Sequence, residues 1–323
     1  MASDFVYAGI DIGGTNIKFG LFDSSGKILH REQRQTLAEK GPLPLMHLVT
    51  NIAERLLFFA ADEDLTVKHL GVGTPGAVDF ASGRVIGPCP NIPGWQGMDI
   101  GRNLKDRLNM PVFVDNDANA MALAECRFGS AAGAKTVLCA TVGTGVGGGL
   151  VFDGHIWRGA HSAAGELGHM PINFDGPKCG CGQNGCLEAY CSSKAIMTRL
   201  QKKLGQGLTP AFEKLLDGPD DKLTVKKLFA AQAKGDEVAI EVIEETARYL
   251  AIGLAGVVNL LNPDTVVIGG GVADGGGGFV EIVASEIRKR AFASAVEELR
   301  VVRAGLGNNA GFVGAGLLGD DTI

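Results

Sequence analysis

Two segments of this 323-residue chain repeat one local pattern, a strand, a turn containing two glycines, and a second strand. Residues 5–12 and 16–23 flank Gly13-Gly14-Thr15, and residues 136–142 and 149–153 flank Gly143-Thr144-Gly145. In the first copy Ser24-Ser25-Gly26-Lys27 turns the chain again into a strand from Ile28, so the chain opens as an antiparallel meander. Each copy then changes period. Residues 45–61 carry apolar side chains at helical spacing before the buried strand 68–73, and residues 236–261 do so before Asn262-Pro263 and the strand 265–268. Residues 99–109 read as a further helix and 112–115 as a further strand. Hairpins that pass into strand–helix–strand crossovers specify an α/β fold, and their recurrence specifies a duplicated one. The length suits two domains that each bury a core. Residues 207–224, with Gly, Pro and paired Asp, are the expected loose surface connection.

The bulk properties exclude several functions. Thirty Lys and Arg against thirty-six Asp and Glu leave a net charge of −6 with no basic block, which argues against a nucleic-acid partner. No apolar run is expected to span a bilayer, and the first residues lack a basic segment followed by an apolar one, so neither a membrane nor secretion is indicated. Seven cysteines, an odd number and partly clustered, point to a reducing compartment and hence the cytoplasm.

That cluster is the most chemically specific segment. His169, Cys179, Cys181 and Cys186 lie within a run of Gly and Pro turns, and thiolate with imidazole donors at such spacing select tetrahedral Zn²⁺. Four protein ligands leave no position for an activated water. The zinc is therefore expected to be structural, holding the loop that carries Glu166 and Glu188.

The glycine turns have a second use. Asp11 ends a strand just before the bare amides of Gly13, Gly14 and Thr15, an arrangement that cradles phosphate oxygens and lets the carboxylate organise Mg²⁺. Gly143-Thr144-Gly145-Val-Gly-Gly148 matches the letters of a dinucleotide fingerprint, but that fingerprint needs a helix after the turn and here a strand follows. A second phosphate-contacting hairpin is the better reading. Gly269-Gly270-Gly271, after the buried strand 265–268, would let an adenosine lie against the backbone. Asp117 lies where strand 112–115 gives way to a helix, at the carboxyl edge where α/β sheets bind ligands. It has two readings there: a proton acceptor for an attacking hydroxyl, or a helix cap.

Taken in order, Asp11-x-Gly-Gly-Thr15, Pro90-Asn91-x-Pro-Gly-Trp95, Asn116-Asp117-Ala-Asn119, Gly143-Thr-Gly145-x-Gly-Gly-Gly149, Gly165-Glu-Leu-Gly-His169 and Cys179-Gly-Cys181-Gly-x-x-Gly-Cys186-Leu-Glu188 resemble the ROK family of sugar kinases and sugar-responsive repressors, over nearly the whole chain to Gly311-Phe-Val-Gly-Ala315. The resemblance implies an actin-like ATPase (ribonuclease H-like) fold with two α/β domains around a cleft: residues 1–117 with 304–323, and residues 118–303. It implies ATP with Mg²⁺ near Asp11, and nucleotide contacts from Gly13, Gly14, Thr15, Lys18, Gly143, Thr144, Gly145 and Gly269 to Gly271. Asp117 would be the general base, with Gly76, Asn91, Asn116, Glu166, His169 and Glu188 around a hexose, and His169 serving both zinc and sugar.

Within that family the chain is most similar to glucokinases. In N-acylmannosamine kinases an arginine follows the glycine equivalent to Gly76, whereas this chain has Ala77. Repressors carry a winged-helix region before the first motif, which here begins near the amino terminus, and often a degraded phosphate hairpin, which here is intact. Glucose is thus the expected acceptor, and a homodimer or homotetramer the expected assembly.

Overall fold

The computed structural model describes residues 5–205, 207–218 and 220–321. The meander is formed by β1 (Phe5–Ile12), β2 (Asn16–Phe22) and β3 (Ile28–Gln35), with Asp11 opposite Lys18. Helix α1 (Pro42–Asp62) leads to β4 (Thr66–Thr74), which lies parallel to β1. A ribbon of β5 (Val78–Asp79) and β6 (Arg84–Val85) and helix α2 (Ile100–Leu108) precede β7 (Val112–Asn116), parallel to β4, and α3 (Asp117–Phe128) follows without a break. The strand order is β3-β2-β1-β4-β7.

The second half repeats this plan. β8 (Thr136–Val142), β9 (Val146–Phe152) and β10 (His155–Ile156) come first. Then come α4 (Glu188–Cys191), α5 (Ser193–Leu204), α6 (Pro210–Glu213), α7 (Val225–Gln232), α8 (Glu237–Leu261), β11 (Thr265–Gly269), α9 (Phe279–Arg288), α10 (Ala293–Val296) and β12 (Arg300–Arg303). The order β10-β9-β8-β11-β12 matches the first sheet position for position. Helix α11 (Ala310–Leu317) follows, continued by a 3-10 turn over Leu318–Asp320.

Strand β9 begins at Val146, three residues before the expected start at Gly149. Gly147, Gly148 and Gly149 belong to the strand, not to the turn. Packing explains the last of them: a Cβ on Gly149 would lie 2.7 Å from the Ala118 carbonyl oxygen and 2.8 Å from Ala122 Cβ, so its bare backbone admits α3. The stretch 207–224 is less loose than expected, since α6 buries Phe212 completely; Pro219 lies outside the described residues.

Among the described residues α1 alone is long and apolar enough to cross a membrane, so length and hydropathy by themselves do not exclude a span there. One face of it is nevertheless placed as in a core helix: Leu45, Val49, Ile52, Ala53 and Leu56 are buried in the cluster that holds Ile10, Ile12, Leu70 and Val72, while Leu43 and Phe58 are exposed. Burying each of the larger side chains contributes roughly 1.5–3 kcal/mol.

By compactness the chain falls into two units. The first comprises Met1–Cys139, Gly149–Gly165 and Gly305–Ile323, and the second Ala140–Gly148 with Glu166–Ala304. Helix α3 belongs to the first unit, where it packs on α11 so closely that a Cβ on Gly314 would overlap the Ala120 carbonyl.

Candidate active site and metal centre

In the first unit, adjacent strands bring the expected residues to one sheet edge. Register places Asp11 beside Gly73 and Gly73 beside Asp115, at the carboxyl ends of β1, β4 and β7. A Cβ on Gly73 would sit 3.6 Å from the Asp117 Cα and 3.8 Å from Asp11 Oδ1, so both carboxylate residues flank that glycine. Helix α11 presses on Asp11 as well, since a Cβ on Gly311 would overlap its carboxylate. Burial pushes the Asp11 carboxyl up to about 6, with Lys18 opposing the shift. A carboxylate so destabilised is suited to a cation, the role expected of it toward Mg²⁺.

The capping question is answered by the neighbour of Asp117. Asn116 is the N-cap of α3, its Oδ1 accepting the backbone N–H groups of Ala118 (2.9 Å) and Asn119 (3.3 Å). Asp117 is the first helical residue, and its Oδ1 also lies 2.9 Å from the Ala118 amide. The helix therefore keeps a cap without it. The Asn116 amide nitrogen donates to the Gly76 carbonyl at 3.1 Å. Gly76 has φ +86°, and a Cβ there would come within 2.5 Å of Cys89 Sγ, so glycine is required on both counts. Asn91 packs against the first hairpin, its Cβ 3.3 Å from where a Gly14 Cβ would be. Its loop is anchored by the fully buried Trp95, whose indole N–H donates to Thr74 Oγ1 at 2.8 Å. Lys18 donates to Asn308 Oδ1 at 3.0 Å.

In the second unit, Gly270 has φ +87° and fits against the backbone of Val142, whose carbonyl accepts the Val272 N–H at 3.0 Å. The Gly269–Gly271 turn thus abuts the Gly143 turn, and no heavy atom within 4 Å would obstruct a Cβ on Gly143 or Gly271. The space beside Gly143 and Gly271 is open, while the Gly143 N–H is engaged within its turn, donating to the Gly145 carbonyl at 2.9 Å. Glu188 begins α4 and accepts the Val146 N–H through Oε2 at 3.0 Å, while a Cβ on Gly168 would overlap the Val146 carbonyl. Glu166, His169 and Glu188 therefore gather at the second hairpin. Burial raises the Glu166 carboxyl, His169 lowers it and Glu188 raises it further.

The ligand atoms of His169, Cys179, Cys181 and Cys186 all lie within 4.8 Å of one another. His169 Nδ1 is 3.7 Å from Cys179 Sγ, and Cys181 Sγ is 3.7 Å from Cys186 Sγ. Tetrahedral Zn²⁺ with Zn–S near ~2.3 Å requires sulfur–sulfur edges of about 3.8 Å. The donor set and spacing fit that ion. The imidazole faces two ways: Nδ1 meets the thiols and Nε2 lies 3.9 Å from Glu166 Oε2.

Several positioning contacts carried no sequence signal. Thr36 Oγ1 donates to the Gly13 carbonyl at 2.6 Å, and Ser193 Oγ donates to the Gly143 carbonyl at 2.8 Å, so both hairpins have the same hydroxyl brace from distant sequence.

A profile of the ROK family matches residues 7–321. A glucokinase of Thermotoga maritima is 35% identical over 95% of each chain. The crystal structure of a ROK family glucokinase from Streptomyces griseus, in complex with glucose and AMPPNP, is 32% identical with TM-score 0.84, covering 96% of this chain and 98% of that one. A xylose repressor of Caldicellulosiruptor bescii is 31% identical over 91% of this chain and 72% of its own length. The fold is that of the ROK kinases, the actin-like ATPase type.

Proposed function

The chain belongs to the ROK family, and from that membership we propose an ATP-dependent glucokinase that transfers the γ-phosphoryl group to the 6-hydroxyl of glucose. The observation that carries the reading is Asp117 in the first turn of α3 with its capping duty met by Asn116. Asp117 accepts the proton of the attacking hydroxyl, a contribution of roughly 10²–10⁴-fold. The remainder is positioning and charge neutralisation. Gly13 and Gly143 close their turns by donating to the Asn16 and Gly145 carbonyls at 3.0 and 2.9 Å, so the amides of Gly14, Thr15, Thr144 and Gly145, with Lys18, receive the phosphates, and Gly269 to Gly271 the adenosine. Asp11 would hold Mg²⁺, which supplies charge neutralisation on the transferring group.

Asn91, Glu166, His169 and Glu188 hold the sugar hydroxyls. Asn116 contributes less directly, because its carbonyl caps α3 and its amide already binds Gly76. Glu188 has capacity for both of its partners, since a carboxylate offers about four acceptor positions. Zn²⁺ on His169, Cys179, Cys181 and Cys186 would be structural, fixing the imidazole so that Nε2 faces the substrate. The odd and partly clustered cysteine count supports a reducing, cytoplasmic setting.

Support for kinase over repressor comes from the intact Asp11 to Thr15 turn, and for glucose over N-acylmannosamine from Ala77. A coupled assay with a panel of hexoses and N-acetylmannosamine, with ATP or polyphosphate as donor, tests the reading. Glucose with ATP is expected to give the highest kcat/KM. Sugar binding without turnover with any donor would overturn the kinase in favour of a sensor.

A further inference from the structure

We propose that Arg158 is a positioning residue for Asp117, acting through Asp115; the proposal rests on the kinase reading above. Arg158 follows β10 and its side chain is 15% exposed, between Asp115 at 2% and Asp321 at 1%. Nε donates to Asp115 Oδ2 at 2.7 Å, Nη2 donates to Asp321 Oδ2 at 2.6 Å, and the guanidinium carbon lies 3.7 Å from the Phe80 ring centroid. The planar fork, stacked on the ring, fixes the direction of both bonds, which a lysine ammonium does not do.

The other oxygen of Asp115 faces the catalytic turn. Oδ1 accepts the Asn116 backbone N–H at 2.6 Å and the Asn119 side-chain amide at 3.0 Å. Asp117 lies inside the loop that these two bonds close. Arg158 therefore holds the carboxylate that fixes the end of β7 against the first turn of α3. Asp321 is oriented in turn, accepting the Ile156 N–H at 3.1 Å, with His155 Nδ1 lying 3.3 Å from the same oxygen. Without Arg158, Asp115 becomes a buried carboxylate without its cation. It then takes up a proton or turns toward water, and either change releases the Asn116–Asn119 turn.

Arg158→Met keeps the packing volume, and Arg158→Lys keeps the charge without the fork. Turnover, calorimetric glucose affinity and amide exchange at Asn116 to Asn119 should be measured in the full chain, alone and combined with Asp117→Asn. Arg158→Met is expected to lower kcat by at least ~10-fold, leave the glucose dissociation constant within about threefold and speed exchange at those amides. In the Asp117→Asn background the same change should lower residual kcat by less than about twofold, because both substitutions act on one group. Arg158→Lys should recover part of the loss. Unchanged kcat, or an equal loss in both backgrounds, overturns the proposal. If Arg158→Met does not fold, Arg158→Lys in the same cycle decides it by the same criteria. Should the wild type phosphorylate no sugar, the kinase reading fails on its own, and exchange at Asn116 to Asn119 then decides whether Arg158 orders the turn.

Discussion

Glu188 Oε2 accepts the backbone N–H of Val146 at 3.0 Å, which joins a side chain of the proposed sugar loop to the first residue of the strand beyond the Gly143 turn. Oε1 of the same carboxylate lies 3.8 Å from Cys179 Sγ. One side chain thus links the His–Cys cluster, the proposed sugar loop and the proposed phosphate hairpin. Two substitutions separate its roles. Glu188→Gln keeps a carbonyl oxygen for Val146, so it should raise the KM for glucose while leaving that for ATP nearly unchanged. Glu188→Ala should also raise the KM for ATP, about fivefold, the equivalent of one net hydrogen bond of about 1 kcal/mol. Equal ATP KM values in the two variants would show that the bond to Val146 does not shape the nucleotide site.

Asp117→Asn should lower kcat by at least ~10²-fold with little change in glucose affinity, because an amide still hydrogen-bonds the hydroxyl but takes no proton. Thermal stability should change little, since Asn116 remains the cap. Asn116→Ala is the counterpart, expected to lower stability by about 1 kcal/mol through loss of the cap. Near-wild-type turnover by Asp117→Asn would move the search for the base to Glu166 and Glu188.

Asp11 sets stability against function. Its folded-state carboxyl is held at about 6, above its ordinary 3.8, by burial. The native state therefore binds more protons than the unfolded chain between about pH 4 and 6, and stability is lost as pH rises through that window. Asp11→Asn should raise the melting temperature at pH 7, flatten its pH dependence over the same window, and abolish Mg²⁺-dependent turnover. A variant less stable than wild type at pH 7 would contradict the burial argument.

Purified protein should carry about one zinc per chain, and Cys181→Ser should lower metal content and melting temperature together. Cys181 is the most accessible of the four candidate ligands, so its replacement disturbs the core least. Full activity after rigorous removal of zinc, with Mg²⁺ alone supplied, would rule out the structural role.

In direct competition glucose should be phosphorylated with higher kcat/KM than N-acetylmannosamine, as Ala77 in place of an arginine implies. The reverse order would change the substrate and leave the kinase intact.

The sequence by itself determined the class of fold and the His–Cys cluster, because both are written locally. Strands β1 and β8 span the residues their apolar runs mark, and His169, Cys179, Cys181 and Cys186 lie close enough in sequence for turns alone to gather them. It left the role of Asp117 open, since a cap and a base have the same residue preference. The tertiary structure placed the cap on Asn116. It also assigned Gly147 to Gly149 to a strand and not to a turn, and there the approach of α3 requires Gly149 to be glycine. The braces on the two hairpins and on the turn from β7 to α3 were invisible beforehand: Thr36 to Gly13, Ser193 to Gly143 and Arg158 to Asp115 join residues 23, 50 and 43 positions apart. A hydroxyl or guanidinium has no periodicity to betray its partner, so such pairs become legible only when the packed sheets bring them within hydrogen-bond reach.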